Sequence, residues 1–431
     1  MRYTPLPADL FVANRQRLYA GLPAGSLVIL QANDVLPTNA DGSIGFVQNS
    51  DLYYLSGVDQ EETILMLFPD APDPKQRELL FVRETNEQIA IWEGEKLTKE
   101  QATARSGIQR VHWLSEFETL FRQVMVQASQ VYLNSNEHPR ASIPTESRET
   151  RFTHRCLREY PLHDYRRLAP LMHGLRIVKQ AQEVEALREA IRITEAGFRR
   201  LLKFVKPGVY EFEIEAELAH EFISQRARGF AYTPIIASGA NSCVLHYITN
   251  HCQCKDGDVL LLDVAANYAN YNADLTRTIP VNGRYTPRQR QVYDAVLRVH
   301  NAASKMLRPG VIVREYQEEV GKMMSSELIG LGLLNKDAVA KQDPDKPLYK
   351  KYFMHGTSHH LGLDVHDVGR TWEPIQAGMV FTVEPGIYIR EEALGIRIEN
   401  NILVGENGNT DLMASIPIEA EEIESLMAAR V

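Results

Sequence analysis

The sequence predicts an α/β (α+β) protein of two domains, a mixed α/β domain over residues 1–172 and a larger domain over 173–431 built from two pseudo-symmetric half-repeats. Three observations predict it. Short apolar runs alternate with helical stretches through the first 170 residues. A long amphipathic period begins near Gln180, just past the boundary. Two stretches of the C-terminal part then resemble each other, each opening on Pro-Gly.

In the N-terminal part, SLVILQA (26–32), TILMLF (63–68), ELLFV (78–82) and QVYLN (130–134) read as strands of a sheet covered by helices. A helix is expected over 114–127 and a turn-rich loop over 69–77. This part carries neither a metal cluster nor a nucleophile elbow, which marks it as an accessory domain. After the boundary, Val184, Leu187, Ile191, Phe198, Leu201 and Val205 recur at helical spacing, and Pro207-Gly208 ends the helix. Further helices are expected over 211–226, 287–306 and 314–330, with a loop over 337–350.

Composition excludes several classes. A net charge of −9 argues against a nucleic-acid protein, which carries a basic stripe. No apolar run reaches the length of about 18 residues that spans a membrane. The N-terminus lacks the charged-then-apolar pattern of a signal peptide, so a cytoplasmic location is expected. The four cysteines, Cys156, Cys243, Cys252 and Cys254, are too few for a disulfide framework. Cys252 and Cys254 lie near His246 and His251, but no second cysteine pair completes a tetrahedral zinc set. Reduced, mostly buried thiols are the expectation.

The repeat leads to the chemistry. KPGVYEFEIEAELAHEF, from Lys206, resembles RPGVIVREYQEEVGKMM, from Arg308, and DGDVLLLDVAANY (256–268) parallels AGMVFTVEPGIY (377–388). Aligning Gly257 with Gly378 places Asp263 on Glu384. Both acids sit in apparent β-hairpins. The midpoint of Asp263 and Asp274 falls between Tyr268 and Ala269, inside the turn signal Asn267–Asn270, so these acids are expected to face each other. The midpoint of Glu384 and Glu399 falls between Glu391 and Glu392, inside another polar turn. Burying four unpaired carboxylates costs several kcal/mol each. Arg277 and Arg397 are within reach by sequence and can satisfy one pair; four converging acids exceed that supply. Divalent cations compensate such a cluster better, and an oxygen-rich set with one imidazole suits Mn²⁺, Co²⁺, Zn²⁺ or Fe²⁺. His355, His359, His360 and His366 crowd the stretch before Glu384, and the residues alone do not decide which of them binds metal. His246 precedes Asp263 by 17 residues and His366 precedes Glu384 by 18, a spacing that suits a symmetric pair flanking the metals; for His246 the alternative is a packed strand-end residue.

Together these residues resemble the pita-bread metallopeptidases: aminopeptidase P, prolidase and methionine aminopeptidase. DVAANYANYNADLTRT, HGTSHHLGLDVHD, VEPGIY and RIENN stand in the family's order over residues 173–425. Asn49 to Gly57, NSDLYYLSG, resembles a segment that aminopeptidase P and prolidase share in their N-terminal domain, which methionine aminopeptidases lack. The resemblance implies two divalent ions, most readily Mn²⁺. Asp263 would bind one metal, Asp274 and Glu399 would bridge both, and His359 would join Glu384 on the other. It implies His246, His366 and His355 at the substrate, and Tyr388 and Arg397 orienting carboxylates. Trp92 is similar to a tryptophan that reaches a neighbouring subunit's active site, and Arg370 stands in a shortened segment where relatives place a substrate-contacting arginine. The implied reaction is removal of the first residue from peptides with proline second, by attack of a metal-bridging hydroxide, with Glu384 as proton shuttle. A homodimer or homotetramer is implied. The rivals are prolidase, which accepts dipeptides only, and a non-catalytic binding module of the same fold. Creatinase-type amidinohydrolases share the fold without the metal set.

Overall fold

The computed structural model describes residues 2–141 and 144–429. Contacts divide the chain into two units, Pro5–Arg176 and Met1–Thr4 with Ile177–Val431.

The N-terminal unit is a six-stranded sheet of β1 (Ser26–Gln31), β2 (Ile64–Leu67), β3 (Glu78–Val82), β4 (Val111–Trp113), β5 (Gln130–Leu133) and β6 (Asp164–Arg167), in the order β4-β3-β2-β1-β5-β6. β1 runs antiparallel to β2 and parallel to β5. Around the sheet lie α1 (Ala8–Ala20), α2 (Ser50–Ser56), α3 (Glu87–Trp92), α4 (Lys99–Ser106), α5 (Phe117–Met125), α6 (Arg148–Glu159) and α7 (Ala169–Arg176). Alternate residues Leu27 and Ile29, Ile64 and Met66, Leu79 and Phe81, and Val131 and Leu133 pack one face against Phe117, Phe121 and Phe152. The intervening Val28, Leu30, Leu65 and Leu80 are equally buried on the other face. Both faces are covered, which is why these strands read as unbroken apolar runs. Two strands had no such signal: β4 and β6 are short edges, and β6, DYRR, is mostly exposed. The helix expected over 114–127 is a 3₁₀ turn at Leu114–Glu116 followed by α5.

The C-terminal unit contains α8 (Ala181–Phe204), α9 (Glu211–Ser224), α10 (Pro287–Met306), α11 (Val313–Gly330), α12 (Lys336–Ala340) and α13 (Ala420–Ala428). Its strands are β7 (Gly229–Phe230), β8 (Ile235–Ser238), β9 (Val259–Asp263), β10 (Ala266–Tyr268), β11 (Tyr271–Asn272), β12 (Thr276–Pro280), β13 (Val380–Val383), β14 (Gly386–Ile389), β15 (Leu394–Arg397), β16 (Asn400–Leu403) and β17 (Thr410–Asp411). The halves repeat as expected: α8 and α9 precede the β9/β12 pair, and α10 and α11 precede β13/β16. Gly257 and Gly378, the aligned pair, have φ of 83° and 86°, left-handed values that glycine takes at little cost. The segment 337–350 is not wholly loop, because Asn335 caps the short α12 by accepting from the amides of Asp337 and Ala338.

The hairpin registers position the acids. In the second hairpin, Val383 pairs with Asn400 and Gly386 with Arg397, so Glu384 lies opposite Glu399 as expected. In the first, Asp263 pairs with Thr276, not with Asp274. The turn itself explains the difference. Ala269 and Asn270 alone are left-handed, with φ of 49° and 65°, and Tyr268 pairs with Tyr271 across them. Such a two-residue turn centres one position later than the Asn267–Asn270 signal implies. Side chains alternate with period two, so Asp274 still shares the face of Thr276 and sits diagonal to Asp263. The two hairpins meet where the Glu399 amide donates to the Thr276 carbonyl at 3.0 Å.

Candidate metal centre

Asp263 closes β9 with both carboxylate oxygens engaged. The Tyr232 hydroxyl donates to Oδ1 at 2.6 Å, and Arg397 Nη2 donates to Oδ2 at 2.6 Å. Arg397 also donates through Nη1 to the Tyr388 hydroxyl at 2.9 Å and through Nε to Thr276 Oγ1 at 3.2 Å. Thr276 in turn donates to Glu399 Oε2 at 2.7 Å. Glu399 Oε1 is buried and meets no protein donor.

His359 faces this cluster. Its Nδ1 lies 2.9 Å from the His360 carbonyl, which can only accept, so Nδ1 carries the proton. The Nε2 lone pair therefore points at Asp274 Oδ2 and Glu384 Oε1, 3.5 and 3.4 Å away. Ligand atoms of Asp274, His359 and Glu399 lie within 4.8 Å of one another. Burial first, then mutual repulsion, pushes the carboxyls of Asp274, Glu384 and Glu399 well above the usual carboxylate range; Asp263 repels Asp274, Asp274 repels Glu399, and Glu399 repels Glu384. A lone pair facing two carboxylates, beside an oxygen with no donor, is an arrangement of acceptors only. Divalent cations fit it, because they replace missing donors and offset the buried negative charge.

The remaining histidines separate by environment. The His355 Nδ1 faces the Gly356 carbonyl at 2.8 Å, so its Nε2 accepts from the Tyr388 hydroxyl at 2.8 Å. Burial, with Arg397 next in weight, pushes its imidazole down to about 3. The His366 ring lies 4.3 Å from that of His359, is exposed, and meets it edge to face. His246 is exposed and acts electrostatically on His355. His360 turns away, its ring against Phe381 at 4.3 Å. Nearby, Lys179 and Asp367 form a buried ion pair at 2.9 Å.

Other expectations resolve unevenly. Among the described residues Arg277 pairs with no carboxylate; it donates to the carbonyls of Thr276, Glu399 and Pro417 and to Asn400 Oδ1. Among the arginines of the described residues, only Arg397 meets an acid of the cluster. Arg370 pairs with Glu373 at 2.7 Å. Trp92, the last residue of α3, is 80% exposed. Among the described residues, no cysteine joins a metal-sized cluster, and burial pushes the Cys254 thiol up to about 12. Tyr232 and Thr276 carry no signal of their own in the sequence. Thr276 becomes visible only with the correct hairpin register, and Tyr232 only through folding.

The sequence matches the families described as "Metallopeptidase family M24" over residues 185–406 and "Aminopeptidase P, N-terminal domain" over 11–132. It is 36% identical to the Xaa-Pro aminopeptidase of Escherichia coli strain K12, over 97% of each chain. The chain belongs to the aminopeptidase P family. It is a metal-dependent hydrolase, and its C-terminal unit has the pita-bread fold. The low-pH structure of Escherichia coli aminopeptidase P superposes with a TM-score of 0.89 at 33% identity, covering 99% of each chain. Proline aminopeptidase P II of Yersinia pestis superposes at 0.85 with 33% identity, covering 98% of this chain and 100% of that one. A Xaa-Pro dipeptidase of Rattus norvegicus is 29% identical over 98% of this chain and 94% of its own. No helix among the described residues is long and apolar enough to cross a membrane.

Proposed function

We propose that the chain removes the N-terminal residue from peptides with proline in second position, using two divalent cations held by Asp263, Asp274, His359, Glu384 and Glu399. The observation that carries this reading is the set of buried acceptors around His359 Nε2, in a chain alike over nearly its whole length to an Xaa-Pro aminopeptidase. The Xaa-Pro bond is a tertiary amide without an N–H, so peptidases that grip that group fail on it. Lewis acidity, charge neutralisation and a more acidic water are what two divalent cations supply when bound there. Glu384 moves a proton between the attacking water and the proline nitrogen. His246 and His366 donate hydrogen bonds to the developing oxyanion, worth about 2.7–4 kcal/mol per donor. His355 stands close by, 3.9 Å from a Glu384 oxygen, and accepts from the Tyr388 hydroxyl. Tyr232 and Arg397 hold Asp263.

Catalysis is assigned to residues 173–431, with 1–172 accessory. The oxygen-rich set favours Mn²⁺ over softer ions, and elemental analysis of the protein as purified tests that choice. A homodimer or homotetramer is proposed, with exposed Trp92 the aromatic through which one subunit reaches another; light scattering in solution tests it. A cytoplasmic location is proposed and is read by fractionation. The likeness to a dipeptidase keeps a second reading in view. Assaying an Xaa-Pro dipeptide beside an Xaa-Pro-Yaa tripeptide with Mn²⁺ separates them. Tripeptide cleavage supports the aminopeptidase, dipeptide cleavage alone selects the dipeptidase, and cleavage of neither overturns both.

A further inference from the structure

The N-terminal unit holds a cavity of about 480 Å³ that nothing in the catalytic reading uses. It opens at the carboxyl end of β1, where Gln31 pairs with Ile64 at the start of β2.

The cavity's charges do not cancel in pairs. Three arginines of α6 line it. Arg151 is matched by Asp34 at 2.6 Å, and Arg155 by Glu118 at 2.5 Å. The third lining acid, Glu62, pairs with Arg83 at 3.5 Å. Arg148 is left over. It is half-buried, makes no ion pair among the described residues, and donates only its Nε, to Gln31 Oε1 at 3.1 Å. Burial pushes its guanidinium down from its ordinary value, against the attraction of Glu62 and Asp34, neither of which reaches it as an ion pair. Gln31 is 3% exposed, and its Nε2 has no acceptor. Arg148 thus fixes the Gln31 amide so that its N–H₂ is unspent, while both Arg148 Nη groups are also unspent. Phe117 and Phe152 form an apolar floor beside these donors.

We propose that this cavity is a second ligand site, separate from the metal centre, for a small organic carboxylate with an apolar body. The carboxylate would take a forked contact from the Arg148 Nη groups and a further hydrogen bond from Gln31 Nε2, and the apolar body would rest on Phe117 and Phe152. A planar fork suits a carboxylate, and a buried donor without an acceptor, such as Gln31 Nε2, is what an anion satisfies.

The test is a titration of the metal-loaded protein with 3-phenylpropionate, followed by calorimetry, with 3-phenylpropan-1-ol as the neutral control. Saturable binding is expected, weakened about tenfold or more in Arg148→Met and in Gln31→Leu. The alcohol is expected not to bind. Arg148→Met lies outside the catalytic machinery, so its peptide cleavage should match the parent, which also shows that it folds. Any carboxylate binding at the metal centre survives Arg148→Met. Binding undiminished in that variant, equal binding of the alcohol, or no saturable binding to the parent would each overturn the proposal.

Discussion

Thr276→Val tests the junction of the two hairpins. Thr276 is fully buried and pairs with Asp263 across β9/β12. Its backbone carbonyl accepts from the Glu399 amide, and its hydroxyl links Arg397 Nε to Glu399 Oε2. Valine keeps the shape and the backbone contact but deletes the hydroxyl. Glu399, whose Oε1 already lacks a donor, then has no side-chain partner on either oxygen, and Arg397 loses one of its three. A hydrogen bond to a charged group contributes about 1.5–3 kcal/mol, and a stranded buried donor costs about 1–3 kcal/mol. Relaxation absorbs part of this, so the metal-free protein should lose about 3 kcal/mol. Freed to turn, the Glu399 carboxylate should also hold metal about 10–100-fold more weakly. Urea unfolding in chelator measures the first effect, and calorimetric Mn²⁺ titration measures the second. A stability change below about 0.5 kcal/mol together with unchanged Mn²⁺ affinity would refute the role given to this hydroxyl.

Three further outcomes are expected. Glu384→Gln should lower kcat for an Xaa-Pro tripeptide by at least about 100-fold, within the usual range for a proton-transfer group, and full turnover would remove Glu384 from the reaction. Gly395→Ala should destabilise the protein by several kcal/mol, because its Cβ would meet the backbone oxygen of Ser242 at 2.1 Å, and a thermal midpoint within about 2 °C of the parent would contradict that packing. His300 is buried, and burial, then Arg277, pushes its imidazole down to about 4, below an unfolded value near 6.5. The unfolded chain binds the proton first as pH falls, so this stability is present above pH 6.5 and is lost towards pH 4, about 2 kcal/mol of it by pH 5. His300→Gln should shrink the difference between urea midpoints at pH 7.5 and pH 5; an unchanged difference would show that His300 does not carry it.

Much of the site was legible in the chain because its signals are local. The strand runs, the Pro-Gly helix ends and the aligned Gly257 and Gly378 follow from backbone preferences that act over a few residues. The register of Glu384 against Glu399 follows from a polar turn placed symmetrically between apolar strands. The register of the first hairpin lies two positions from the one the turn signal implies, because Asn267 and Asn270 both suit turns and only the folded backbone puts Ala269 and Asn270 into left-handed conformations. β4 and β6 stayed hidden because edge strands need no continuous apolar run.

By itself, then, the sequence determined two hairpins carrying four acids on hydrophobic strands, a histidine-rich loop before the second, and a half-repeat that makes the hairpins converge. Only the tertiary structure decided which histidine meets the acids. His359 points Nε2 at Asp274 and Glu384 because the His360 carbonyl fixes its Nδ1 proton, whereas His355 is taken up by Gly356 and Tyr388, and His360 by Phe381. Tertiary structure likewise decided that Arg397, not Arg277, meets a carboxylate. These outcomes depend on groups distant in sequence reaching hydrogen-bond distance, and no local preference encodes that.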